Sequence, residues 1–130
     1  MPELGFQSKL NLPYTQTLEK VIAALKVEGF GVLTSIDVTE TMKKKLDVEF
    51  RPYTILGVCN PGLAFKALTA RPDVGLLLPC NVIVYADGED TIVNIIDPAS
   101  MTSFIQDPVV DSVAEEARQR LLRVADAIRE

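Results

Sequence analysis

Histidine is absent from this sequence of 130 residues. With it go the usual general base near neutral pH and the commonest metal ligand, which excludes Ser-His and Cys-His catalysis and most zinc sites. Tryptophan is also absent, aromatic residues make up only 6%, and no basic run is interleaved with aromatics. A net charge of −5 keeps the chain soluble and repels phosphate backbones. Nucleic acid is therefore not an expected partner. No apolar run approaches the ~20 residues that span a bilayer, so no membrane association is expected. The first nine residues, Met1 to Lys9, lack a charged-then-apolar signal pattern. The expected compartment is the cytoplasm, where thiols stay mostly reduced. No serine elbow, phosphate loop or dinucleotide fingerprint occurs.

What is present is an ordinary globular balance, 48% hydrophobic and 24% charged residues. That amount of apolar side chain supports one core, and residues 1–130 read as a single domain. Leu4, Phe6 and Ser8 alternate with Gly5, Gln7 and Lys9, a half-buried strand. Thr15 is an N-cap candidate for a helix whose Leu18, Val21, Ile22 and Leu25 form one apolar stripe. Gly29 supplies the helix end, and residues 30–37 read as a second strand. Thr39 is expected to cap a short helix with Met42 and Leu46 inward. Its Lys43-Lys44-Lys45 run reads as a solvated face near the helix C-terminus, or as an anion site shared with Arg51.

Tyr53 to Cys59 reads as the third strand, and Leu63 to Leu68 as a short helix after Asn60-Pro61. Val82–Tyr85 and Ile92–Ile96 are rich in Val and Ile and are separated by Asp87-Gly88-Glu89-Asp90, a hairpin pattern. The acidic spacing of that tip is not that of a calcium loop. Asp97-Pro98 and Asp107-Pro108 open two further helices. The first has Met101, Phe104 and Ile105 inward, and the second carries the stripe Val110, Val113, Ala117, Leu121, Val124 and Ile128. Strands and helices do not alternate regularly, and one strand pair is a hairpin. The expected class is α+β, a largely antiparallel sheet with helices on one face.

The unusual chemistry is concentrated in residues 53–85. Both cysteines lie there, each followed by asparagine and each beside a proline: Cys59-Asn60-Pro61 and Pro79-Cys80-Asn81. Free cysteine is commonly a small buried hydrophobe, and Leu56, Val58, Leu78 and Val82 nearby fit a structural role. Cys59 also ends a strand just before a helix start, where backbone N–H groups could stabilise a thiolate, giving a redox or enzymatic reading. A soft-metal pair is a third reading, although two sulfurs alone make no tetrahedral site. If the two strands are neighbours, Cys59, Asn60, Cys80 and Asn81 could surround one ligand pocket. These residues name no reaction and no cofactor.

Gly29-Phe30-Gly31-Val32 with Asp37, Lys45-Leu46, the run from Tyr53 through Cys59-Asn60-Pro61 to Ala64, and Leu78-Pro79-Cys80-Asn81-Val82 together resemble the domain of unknown function 302 family. The likeness covers nearly the whole chain. It implies an α+β fold similar to the TATA-binding-protein topology, a sheet backed by helices, and homodimers. It implies no activity, and DNA binding does not carry over with a fold likeness. The leading expectation is a small domain binding a small molecule near Cys59, Asn60, Cys80 and Asn81. The competing readings are a thiol enzyme or redox protein using Cys59, and a structural dimeric partner domain.

Overall fold

Val and Ile at every second position of two adjacent segments define the centre of the molecule. In the computed structural model, which describes residues 4–129, these segments are β4 (Cys80–Asp87) and β5 (Asp90–Ile96). Met1 to Glu3 of the N-terminal stretch and Glu130 lie outside the described residues. With β1 (Gly5–Leu10), β2 (Gly31–Asp37) and β3 (Tyr53–Cys59), they form a five-stranded sheet of order β1-β5-β4-β3-β2. Every described pairing in it is antiparallel. The fold is a single α+β domain of the expected class.

The pleat sends Leu56, Val58, Val82, Val84, Val93 and Ile95 to one face, where each is nearly or fully buried. Two helices cover that face. They are α1 (Tyr14–Val27), burying Val21 and Leu25, and α5 (Pro108–Ile128), burying Leu121, Val124 and Ile128. Two shorter helices, α3 (Pro61–Ala70) and α4 (Pro98–Thr102), pack on α5. A 3-10 helix, Pro72–Leu77, links α3 to β4. The remaining helix, α2 (Val38–Leu46), follows the edge strand β2 and buries none of its residues.

Three cap-then-proline sequences work as the residue types suggest. Asn60, Asp97 and Asp107 accept from Leu63 N–H, Ala99 N–H and the Val109 and Val110 N–H groups. Each is followed by proline in the first helical turn, where a missing N–H costs nothing. The hairpin is also as expected, with Asp87 opposite Asp90 and Gly88 at φ 63°.

Other expectations fail for identifiable reasons. The α1 start is not capped by Thr15: the helix begins at Tyr14 after Pro13, and no side chain caps it. Thr39 does not cap α2, because Asp37 accepts from Glu40 N–H. The Thr39 hydroxyl instead accepts from Tyr53 N–H and donates to Arg51 O, tying α2 to the start of β3. Leu46, Phe104 and Ile22 are exposed rather than inward. Lys43 pairs with Asp47 and Glu49, and Lys44 with Glu40, so these two cations are spent on acids rather than convergent on an anion site. Arg51 lies over the Tyr85 ring.

The turn between α1 and β2 is clamped from two sides. Gly29 has φ 85°, a region that costs other residues about 1–2 kcal/mol. A Cβ there would also lie 2.8 Å from Asn60 Nδ2. From the other side Arg120 donates to Glu28 O and Arg123 pairs with the Glu28 carboxylate at 2.9 Å. Gly29→Ala is therefore expected to destabilise the fold by at least about 1–2 kcal/mol, and Asn60→Ala by about 1 kcal/mol through the lost cap. Urea unfolding midpoints check both, and a wild-type midpoint for Gly29→Ala contradicts this account of the turn.

Candidate functional site

β3 and β4 are neighbours in the sheet, yet residues 60–79 intervene between them. Val58 faces Cys80 in the register, so both cysteines reach the same end of the sheet. The intervening α3 and 3-10 helix fold back over that end toward α5. Where α3 and α5 face one another the side chains are short: Ala64 and Ala67 on one helix, Ala114 and Ala117 on the other. Short side chains at a helix crossing leave space. A cavity of about 70 Å³ lies there, with Cys59, Asn60 and Cys80 among its lining residues. That is several times the ~10–15 Å³ that admits one water.

The cavity wall is almost wholly apolar and carries no charged residue. It runs between the main core and a satellite cluster of Ala67, Val74, Ile105 and Val110. Asn81 lies elsewhere. Its strand position alternates with Cys80 and Val82, which places it on the opposite face of the sheet, exposed. There it lines a second cavity of about 280 Å³ with Leu76, Pro79 and Ile96. Cys59, Asn60 and Cys80 thus come together, and Asn81 does not join them in the first cavity.

Cys59 is half-buried and Cys80 is 8% exposed; neither is in a disulfide. Burial pushes the Cys59 thiol up, the opposite of the direction a helix start suggests. The Leu63 N–H goes to Asn60, not to the thiol. Burial also pushes Cys80 up to about 11, with a smaller contribution from Cys59. Among the described residues no cluster of three or more His, Cys, Asp or Glu could hold a metal ion. The arrangement offers protonated, polarizable sulfur as wall material and weak S–H donors.

Sequence reasoning missed Leu77, Leu78 and Met101, which line both cavities. The available signal was the pattern of alanines at inward helix positions, where leucine would have filled the space.

The fold and cavity define a small helix-backed antiparallel α+β domain with a hollow beneath α3. The chain belongs to the family described as Domain of unknown function DUF302, whose model matches residues 6–128. It is similar to the crystal structure of an uncharacterized conserved protein DUF302 from Bacillus stearothermophilus, at 31% identity and a TM-score of 0.89. That likeness covers 98% of this chain and 100% of the other. A search of curated proteins gives no match. No helix among the described residues is long and apolar enough to cross a membrane.

The thiol environment sets a pH dependence. The folded pKa of Cys80 lies above an ordinary value near 9, so the folded state holds this proton more tightly than the unfolded chain does. The resulting stability is complete below about pH 9 and is lost as pH rises toward about 11. Wild type is expected to lose more stability than Cys80→Ala over this window, measured by urea unfolding at fixed pH steps. Equal losses in both proteins contradict the assignment. Alkylation near pH 7.5 is expected to be slow at both thiols until the protein unfolds.

Proposed function

We propose that the protein is a small-molecule-binding domain whose site is the uncharged cavity beneath α3, with Cys59, Asn60 and Cys80 on its wall. The observation that carries this reading is the hollow itself. Protein interiors pack at crystal-like density with few gaps larger than a water, and this partly open hollow lies between two clusters of buried side chains. A wall without charge suits an uncharged apolar group. The raised thiols support sulfur as a packing surface rather than as a nucleophile. Both cysteines are free, the form that a reducing cytoplasm maintains, and the cytoplasm is the proposed compartment.

Xenon is a suitable probe, since it is apolar, small and taken up by apolar cavities. Xenon dissolved under pressure is expected to shift amide NMR signals of Ala64, Ala114 and Ala117. Ala114→Leu, which partly fills the space, is expected to weaken that binding at least about ten-fold. Absence of any shift at saturating xenon overturns the reading.

A homodimer is also proposed. The sheet face away from the helices carries Ile36, Ile55 and Ile83 in one cross-strand row, beside the stacked rings of Tyr53 and Tyr85 at 5.2 Å. Ile36 is 48% exposed. The outer edge of β2 is less suited to pairing, because a register shift between Val32 and Thr34 interrupts it. Two protomers meeting face to face would cover the isoleucine row. Sedimentation at micromolar concentration is expected to show twice 14.3 kDa, and Ile55→Lys to return the monomer. A wild-type monomer overturns this proposal.

A further inference from the structure

The two cavities share a wall. Leu77, Leu78 and Met101 line both of them, so the partition between the first and second cavity contains the side chains of the 3-10 helix end and of α4. Met101 is half-buried and unbranched, with three rotatable bonds and a soft thioether, the side chain best able to swing aside. It stands on a helix of five residues.

The two sides of this partition differ in chemistry. The first cavity is almost wholly apolar, whereas the second mixes polar and apolar surface. On the second side Asn81 presents a carboxamide, with both donor and acceptor capacity, and this side chain is exposed. Its position follows from the strand: Cys80 turns inward at the start of β4, so the next residue turns to the other face. The adjacent Cys80-Asn81 pair therefore points one residue at each cavity. Neither lining includes Asp, Glu, Lys or Arg. A charged ligand would find no counter-ion in either, whereas the Asn81 carboxamide offers a neutral polar end both a donor and an acceptor.

We infer that the two cavities are halves of one site for a small, neutral amphipathic molecule, its apolar part beneath α3 and its uncharged polar end beside Asn81. The ligand class is a short aliphatic or aromatic group bearing an amide, alcohol or ester. The first cavity, at about 70 Å³, suits a short group rather than a long acyl chain. Met101 moves to join the halves when the ligand enters. This inference rests on the binding function proposed for the first cavity and adds the second cavity, the polarity of the ligand and the role of Asn81.

Three probes test it by NMR titration at pH 7.5: xenon, hexanamide and hexanoate. Hexanamide is expected to shift signals on both sides, Ala114 and Ala117 on one and Asn81 and Ile96 on the other. Hexanoate, with the same tail but an acceptor-only charged end, is expected to bind more weakly, because neither lining carries a counter-ion. Asn81→Leu is expected to weaken hexanamide about five-fold, the worth of one hydrogen bond, while xenon affinity stays unchanged. Asn81 lies on the exposed side of the sheet, so this variant is expected to fold, which its xenon binding verifies. If xenon binds while hexanamide leaves Asn81 and Ile96 unshifted, or hexanoate binds as tightly as hexanamide, the joined site is overturned and the apolar cavity stands. If no probe binds, both readings fall together.

Discussion

The register that sets Val58 opposite Cys80 constrains this end of the molecule more than any other contact. Antiparallel neighbours can be joined by a two-residue turn, and β4 and β5 are joined that way through Gly88 and Glu89. β3 and β4 are not. Residues 60–79 must leave the sheet at Cys59 and return to it at Cys80 beside the same strand. The chain uses that length for α3 and the 3-10 helix, which fold back over the strand ends. Gly57 permits the return: a Cβ there would meet Thr34 Oγ1 of β2 first and would lie 2.9 Å from Pro79 Cγ, so Thr34 and the residue before Cys80 are seated where a side chain on β3 would stand. The cavity is the space beneath this looped-out segment, closed on its far side by α5.

The same segment decides what could be read from the sequence. Local chemistry was legible: Asn60-Pro61, Asp97-Pro98 and Asp107-Pro108 each name a cap and a first turn, and each acts so. The Val and Ile alternation of β4 and β5 also speaks for itself, because one face of a strand either meets a core or does not. What failed was inference about threonines and about inward faces of short helices. Thr15 and Thr39 are chemically adequate caps, but proline at 13 and aspartate at 37 begin their helices two residues earlier. Leu46 and Phe104 look like core residues by type, yet α2 and the turn after α4 lie at the periphery, where both side chains are exposed. Periodicity reports a helix face; only the tertiary arrangement says whether anything packs on it.

The candidate site was half legible for a similar reason. The Cys-Asn repeats lie where the strand ends meet the first cavity, but they suggest one pocket with four equivalent contributors. Strand alternation separates them. Cys80 and Asn81 are adjacent in sequence and on opposite faces of β4, while Cys59 and Asn60 sit at the strand-to-helix corner where alternation ends. At the helix start that could have activated Cys59, Asn60 takes the Leu63 N–H, and burial is what shifts the thiol.

A hollow of this kind forgoes packing contacts, because the atoms that line it lack partners on one side. Longer side chains at Ala64, Ala67, Ala114 or Ala117 could occupy the space without altering any cap or strand. The alanines instead leave it open between helices that are otherwise secured by caps at Asn60 and Asp107 and by ion pairs such as Arg118 with Asp97. The hollow is thus local to one helix crossing, while the sheet beneath it is closely packed at Val58 and Val82, both 0% exposed.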